Sequence, residues 1–294
     1  MNDINEPIGK KSGSRTTALY VVASPMGNLG DITLRALEIL KSVDAVACED
    51  TRHARRFLDH YGIRAATFAL HEHNEQEAGA KLVDLLAQGK AVAMISDAGT
   101  PAISDPGAKA VAAVQAAGYP VIPLPGPNAA ATALSASGIT DDRFLFVGFL
   151  PPKAGARKAE IERLKSVEAA LVFYEAPHRI EETIADLAAL LEPERQLVVA
   201  RELTKLFEQI VRMPIAEAPA WLAADSNRQR GEFVLIVSAP TVKTGLDGEA
   251  ERVLKALLAE LPTKQAAKLA AEITGVSKNE LYQRALEFKD VDKG

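Results

Sequence analysis

The chain has 294 residues, room for about two domains of roughly 150 residues each, and its 48% hydrophobic and 25% charged residues are the balance of an ordinary soluble globular protein. A formal charge of −5 argues against a surface coated in positive charge, although local basic loops can still meet a nucleic acid. Cys48 is the only cysteine, which excludes an internal disulfide and a cysteine-rich zinc site and fits a reducing cytoplasm.

Residues 1–16 are polar and lack an apolar signal core, so they read as a disordered tail. Short apolar runs follow at Ala18–Ala23, Val43–Cys48, Ala66–Leu70, Ala91–Ser96 and Pro120–Leu124, with helical patterns between them. Within the second run Cys48 reads as a core thiol. Asp31 is placed to cap a helix through Lys41. Asn74 and Glu77 have the spacing of a capping box, and Gly89 ends that helix. Continuous apolar strands separated by helices imply a parallel sheet covered on both faces, an α/β domain over residues 17–126. Ala110–Thr140 carries no charged residue and exceeds a membrane span in length. Gly118, Pro120, Pro123, Pro125, Gly126 and Pro127 interrupt it, which a lipid-exposed helix could not absorb.

A second α/β domain is expected over residues 127–240. Strand-like runs occur at Phe144–Phe149, Ala170–Tyr174, Leu197–Arg201, Phe207–Arg212 and Phe233–Ser238, with helices around Arg157–Ser166 and Pro177–Leu190. The third and fourth runs have hairpin spacing, which points to a mixed sheet. Residues 241–294 form a linker, with Gly245 and Gly248, and a helical C-terminal domain. There Ser277 and Glu280 make a capping box after the turn at Gly275, giving a helix-turn-helix-like pair. Nine basic and nine acidic residues leave this segment neutral, better suited to packing or dimer formation than to reading DNA.

The densest chemical signal is the loop Ser96-Asp97-Ala98-Gly99-Thr100-Pro101-Ala102-Ile103-Ser104-Asp105-Pro106-Gly107, between a predicted strand and a helix starting near Ala108. Two further strands end in Ser24-Pro25-Met26-Gly27-Asn28 and Pro125-Gly126-Pro127-Asn128. In an open parallel sheet, ligands bind beyond the carboxyl ends of the strands, and all three loops lie there. Neither a nucleoside-triphosphate P-loop nor a dinucleotide fingerprint is present. The principal loop has two aspartates and no Lys or Arg, a poor cradle for phosphate. It suits a ligand with ribose hydroxyls and an ammonium group, such as S-adenosylmethionine, whose sulfonium also favours acidic surroundings and carbonyl oxygens.

The strings LYVVASPMGNLGDIT (19–33), EDTR (49–52), HEHNE (71–75), SDAGTPAISDPG (96–107), PGPNA (125–129), FVGFLP (146–151), FYEAPHR (173–179) and ARELTK (200–205) together resemble the ribosomal RNA small-subunit methyltransferase I family, within the tetrapyrrole-methylase superfamily. The resemblance covers about residues 18–240 and runs on into the helical tail. It implies two α/β domains with S-adenosylmethionine in the cleft between them, a homodimer, and 2′-O-methylation of a cytidine ribose in the decoding region of 16S rRNA, on free rRNA or on the small ribosomal subunit. Carried over by position, the cofactor would meet Met26, Asp97, Gly99, Thr100, Ile103 and Ser104, then Asn128 and Ala129. From the second domain Tyr174, Glu175, Leu203 and the Gly231-Glu232-Phe233 turn would close over it.

For the proton on the ribose hydroxyl, Asp50 is the first candidate base, at a strand end beside Arg52-His53-Ala54-Arg55-Arg56; His71 and Glu72 come second. The plainer reading is that Glu49 and Asp50 cap the following helix. His71 and His73 have alternate spacing on a strand, but no further ligands support a metal. RNA would be met by Arg52, Arg55 and Arg56, by Lys153, Arg157 and Lys158 in a segment with five basic and two acidic residues over 151–165, and by His178 and Arg179. For Arg163 and Lys165 a solvated helix face serves equally well. C-methylation of a tetrapyrrole is a second enzymatic reading, and a non-catalytic cofactor-binding or interaction module is a reading of another class.

Overall fold

Five parallel strands lead the computed structural model, which describes residues 16–240 and 248–291. They are β1 (Leu19–Val22), β2 (Ala45–Cys48), β3 (Ala66–Ala69), β4 (Val92–Ile95) and β5 (Val121–Leu124), in the spatial order β3-β2-β4-β1-β5. Every residue of β2 and β4 is buried, as central strands covered on both faces require. The covering helices are α1 (Leu34–Ser42), α2 (Thr51–His60), α3 (Glu75–Ala87) and α4 (Ala108–Ala116). Side chains alternate across the sheet. Val46, Cys48, Ala93 and Ile95 face Leu40 of α1 and Leu58 of α2, while Ala45, Ala47, Val92 and Met94 face Leu82 of α3 and Val114 of α4.

Two expected caps move. Thr33, not Asp31, caps α1, its Oγ1 accepting from the Ala36 N–H at 3.1 Å, because residues 29–31 form a short 3₁₀ turn first. Asn74 uses its side chain to tie the β3–α3 connection: it donates to the Ala69 carbonyl at 3.1 Å and accepts from the His71 N–H at 2.8 Å.

The second sheet is mixed, in the order β6 (Phe144–Phe149), β7 (Ala170–Glu175), β10 (Phe233–Val237), β8 (Gln196–Arg201), β9 (Gln209–Pro214). Only β6 and β7 pair parallel. One face carries α5 (Ala129–Ser137), whose Ala130 and Ala133 pack on Val172, Val198 and Ile236. The other carries α6 (Ala154–Leu164), α7 (Ile180–Leu190) and α8 (Ala218–Ala223) around Phe173, Val199 and Leu235. Strand β9 starts two residues later than its apolar run predicts, so Leu206 and Phe207 stand in the β8–β9 loop, 89% and 67% exposed.

Helices α9 (Gly248–Glu260), α10 (Thr263–Thr274) and α11 (Lys278–Val291) enclose a small core of their own, with Leu254, Ala266, Ala270 and Leu281 fully buried. Residues 1–15 of the polar tail and Gly245 of the linker lie outside the described residues. Among the described residues no helix is long and apolar enough to cross a membrane.

Candidate functional site

The loops after β1, β4 and β5 are stitched into one unit. Ser24 and Gly99 exchange backbone hydrogen bonds, both at 2.9 Å, and the Ser24 hydroxyl donates to the Ser96 carbonyl at 2.9 Å. Thr100 Oγ1 donates to the Pro127 carbonyl at 2.9 Å, which ties the second loop to the third. Gly99 has φ +76°, open to glycine and strained for other residues; a Cβ there would have only ordinary contacts. Its requirement is therefore backbone conformation rather than crowding.

The second domain closes on this unit. Gly148 sits with φ +76° at an irregularity in the β6–β7 pairing, and a Cβ on it would lie 2.9 Å from Ser104 Oγ, so the missing side chain lets strand and loop touch. Asn128 caps α5 by accepting from the Ala131 N–H at 3.0 Å, and the Tyr174 hydroxyl accepts from the Ala130 N–H at 3.2 Å. Among the described residues, four non-glycines have positive φ: Ala102 and Ser104 in the first domain, Glu202 and Thr204 in the second. All four lie in the two loops that face each other here, and strain gathered in one place is a mark of a working site.

Between the loops lies a cleft of about 300 Å³. The first domain lines it with Met26, Gly99, Thr100, Ile103 and Ser104; Asn128 and Ala129 follow; Tyr174, Glu175, Leu203, Glu232 and Phe233 complete it from the second domain. Glu175 is committed internally, its carboxylate accepting from Thr183 Oγ1 at 2.6 Å and the Ala176 N–H at 2.8 Å. Asp97 departs from the set. It lines a neighbouring cavity with Ser96, and its Oδ1 accepts from the Asp50 N–H at 3.2 Å. Sequence reasoning missed Asp105, Phe149 and Pro177, which also line the cleft. Phe149 and Pro177 were inside recognised strings, but which side of a strand or turn meets a cleft depends on the partner sheet.

Asp105 is the carboxyl whose setting suits proton transfer. Burial and the neighbouring Asp97 charge raise its pKa, against the lowering effect of a hydrogen bond with Ser96. Burial, Asp97 and Asp105 likewise push Glu49 up, and burial pushes the Tyr174 phenol up. Cys48 is buried and its thiol is pushed up to about 11 by burial and by Asp97 and Asp50, so it is a core thiol.

Asp50 takes the capping role. Its carboxylate accepts from the Arg52 N–H at 2.7 Å and pairs with the Arg52 guanidinium at 3.0 Å, which holds it down to about 2. So acidic a group is a weak proton acceptor near neutral pH. His71 and Glu72 line neither cavity; they follow β3, the sheet edge, two strand positions and about 10 Å from β4.

The expected basic rim divides. Arg157 is 2% exposed, and its guanidinium is held by Asp186 at 2.7 Å and Glu182 at 3.0 Å, so it is a core ion pair and no phosphate contact. Arg179 is turned inward, donating to the Leu150 carbonyl at 2.6 Å with Glu175 at 3.3 Å, and it too is structural. Lys158 is half exposed beside Asp186 at 3.5 Å. Arg52, Arg55, Arg56, Lys153 and His178 are exposed. Among the described residues no group of three or more His, Cys, Asp or Glu could hold a metal ion.

Comparison with known proteins gives the same picture from another side. Residues 18–219 match the family of tetrapyrrole (corrin/porphyrin) methylases, and residues 244–289 match the RsmI C-terminal HTH domain. Curated relatives called ribosomal RNA small subunit methyltransferase I include one from Pseudomonas aeruginosa, 52% identical with 92% of this chain and 96% of the relative covered. Another, from Neisseria meningitidis serogroup A, is 46% identical, with 92% and 94% covered. Among solved structures, uroporphyrin-III-C-methyltransferase from Thermus thermophilus superposes with a TM-score of 0.53 at 20% identity, covering 76% of this chain and 94% of that one. The methyltransferase CobJ superposes with a TM-score of 0.58 at 17% identity, over 76% and 94%. Likeness at that identity concerns the fold.

Proposed function

The chain belongs to the tetrapyrrole (corrin/porphyrin) methylase family, and from that premise we propose that it is an S-adenosylmethionine-dependent ribosomal RNA methyltransferase, which 2′-O-methylates a cytidine ribose in the decoding region of 16S rRNA. The observation that carries the substrate class is the match of the helical C-terminal unit to a domain named for the rRNA enzymes, beside near-full-length relatives at about half identity. Its substrate is the small ribosomal subunit or its rRNA, and it works in the cytoplasm as a homodimer.

The lining of the cleft fits this methyl donor. It offers the Asp105 carboxylate and no lysine or arginine, with Glu175 committed internally and Glu232 paired with Lys205 at 2.8 Å, which suits a cationic ligand without phosphate. Thr100, Ser104 and Asn128 offer hydroxyl and amide partners for a ribose, and Ile103, Leu203 and Phe233 offer apolar surface for an adenine. When bound, S-adenosylmethionine supplies an electrophilic methyl group on its sulfonium. The interlocked loops hold the reactants in line, and positioning of this kind supplies much of the acceleration of a displacement. Asp105, in the cleft with a raised pKa, takes the proton from the 2′-hydroxyl, a task worth roughly 10²–10⁴-fold. Tyr174, anchored at Ala130, keeps the wall of the cleft rigid beside it.

The reading is tested by mass-spectrometric mapping of 16S rRNA from cells with and without the gene. Loss of a single ribose methyl from a decoding-region cytidine, restored by the wild-type gene, is the expected result. Unaltered rRNA modification removes the proposal.

A further inference from the structure

Behind the cofactor loop lies a second cavity, of about 310 Å³, that the methyl-transfer chemistry does not use. The Ser24–Gly99 bridge separates it from the cleft: Ser24 lines one, Gly99 the other. Its outer wall is α2, where His53, Arg56 and His60 follow helical spacing and project along one face. Its inner walls are apolar, with Leu29 and Phe57, and Asp97 lies in the lining. The Tyr61 hydroxyl donates to the Leu29 carbonyl at 2.5 Å, so the loop over the cavity is pinned to the end of the helix. Arg56 has no ion pair or side-chain hydrogen bond among the described residues, unlike the basic residues of α6.

We propose that this cavity is a nucleotide subsite, holding an RNA residue beside the one that is methylated. It rests on the rRNA reading above. The base lies against the exposed Leu29, with the buried Phe57 forming the apolar floor beneath it, as RNA-binding proteins receive unstacked bases on apolar and aromatic surfaces. Asp97 accepts from the exocyclic amine of that base, the pairing a carboxylate makes with cytosine N4. Arg56, with His53 and His60, meets the phosphate at the rim, where the guanidinium fork matches the oxygens. The shared bridge sets this nucleotide against the target nucleotide, so that binding here delivers the neighbouring ribose to the cleft.

The test is single-turnover methyl transfer to purified small ribosomal subunits, at varied subunit concentration and salt, with wild type, Arg56→Gln and the pair His53→Ala/His60→Ala. All three side chains are exposed, so these variants keep the fold. The half-saturating subunit concentration should rise about tenfold in each. For Arg56→Gln the salt dependence should flatten by about one phosphate contact, a change that a merely structural residue does not produce. Calorimetric affinity for S-adenosylmethionine should stay at the wild-type value. Half-saturation and salt slope within twofold of wild type would overturn the subsite while leaving the methyltransferase reading in place. A loss seen with whole subunits that vanishes on protein-free 16S rRNA would also overturn it, because the pocket would then be taking a protein side chain. If the wild-type protein binds S-adenosylmethionine and methylates no subunit, the rRNA reading falls and the subsite with it.

Discussion

Helices α2 and α6 look alike as sequence, each a short basic helix at the end of a strand, and the fold uses them in opposite ways. In α6 every cation that the structure pairs finds a carboxylate: Arg157 meets Asp186 and Glu182, Lys158 meets Asp186, and Arg163 meets Glu160 at 2.5 Å. In α2 only Arg52 is paired, with the Asp50 that caps the helix, while Arg56 faces an open cavity. A basic residue is available to RNA when the fold brings no carboxylate to it. The carboxylates that hold Arg157 and Lys158 come from α7, some 25 residues further along the chain.

Arg157→Leu is the hardest test of that contrast. Removing one partner of a buried pair leaves Asp186 with only the half-exposed Lys158 at 3.5 Å, so stability should drop by about 3 kcal/mol, read as a lower urea midpoint. The salt dependence of subunit binding should stay at the wild-type slope, and a flatter slope would return Arg157 to the RNA surface.

Asp50 gives a smaller effect with a definite pH signature. Alanine removes the cap and lowers the urea midpoint, whereas asparagine keeps the capping hydrogen bond and loses the charge, so it falls between alanine and wild type. The folded-state pKa is held near 2, below the ordinary carboxylate value of 3.8, so the ionised carboxylate stabilises the fold fully above about pH 4. That contribution fades as pH falls through about 2. The gap between wild type and Asp50→Ala should therefore be constant at neutral pH and close in acid. A gap independent of pH would mean that the charge plays no part in the cap.

Lys158→Gln should do least. Its amine lies 3.5 Å from a carboxylate that Arg157 already satisfies, so stability should change by less than about 0.5 kcal/mol. A salt slope at the wild-type value would keep α6 off the RNA, and a flatter one would put this single residue on it.

Strand positions were readable from the chain because buried strands are short apolar runs; β10, buried throughout, begins at Phe233 where its run does. Helix α5 escaped notice because Ala129–Ser137 has no polar face: it is rich in alanine and lies partly against the second sheet. The cleft was legible for a related reason. Gly99, Thr100 and Asn128 are required by local backbone geometry and capping, which short strings record. The base and the basic rim were not, because they depend on distant partners. Asp50 and Asp105 are both aspartates in loops that lead from a strand to a helix; only the fold shows one tied to Arg52 and the other half-buried near the Asp97 charge. Likewise only the packing of α7 on α6 makes Arg157 part of the core.

The most direct measurement sets Asp105→Asn beside Asp50→Asn in single-turnover methyl transfer to the small ribosomal subunit, at saturating enzyme and S-adenosylmethionine. If the cleft is where the ribose loses its proton and gains its methyl, Asp105→Asn slows the step by 10²–10⁴-fold with both substrates still bound, and Asp50→Asn stays within about threefold of wild type. The raised Asp105 pKa adds that the wild-type rate falls as pH drops through it, since the protonated carboxyl cannot accept, and this acidic limb is missing in Asp105→Asn. A wild-type rate in Asp105→Asn together with a large loss in Asp50→Asn would contradict the account.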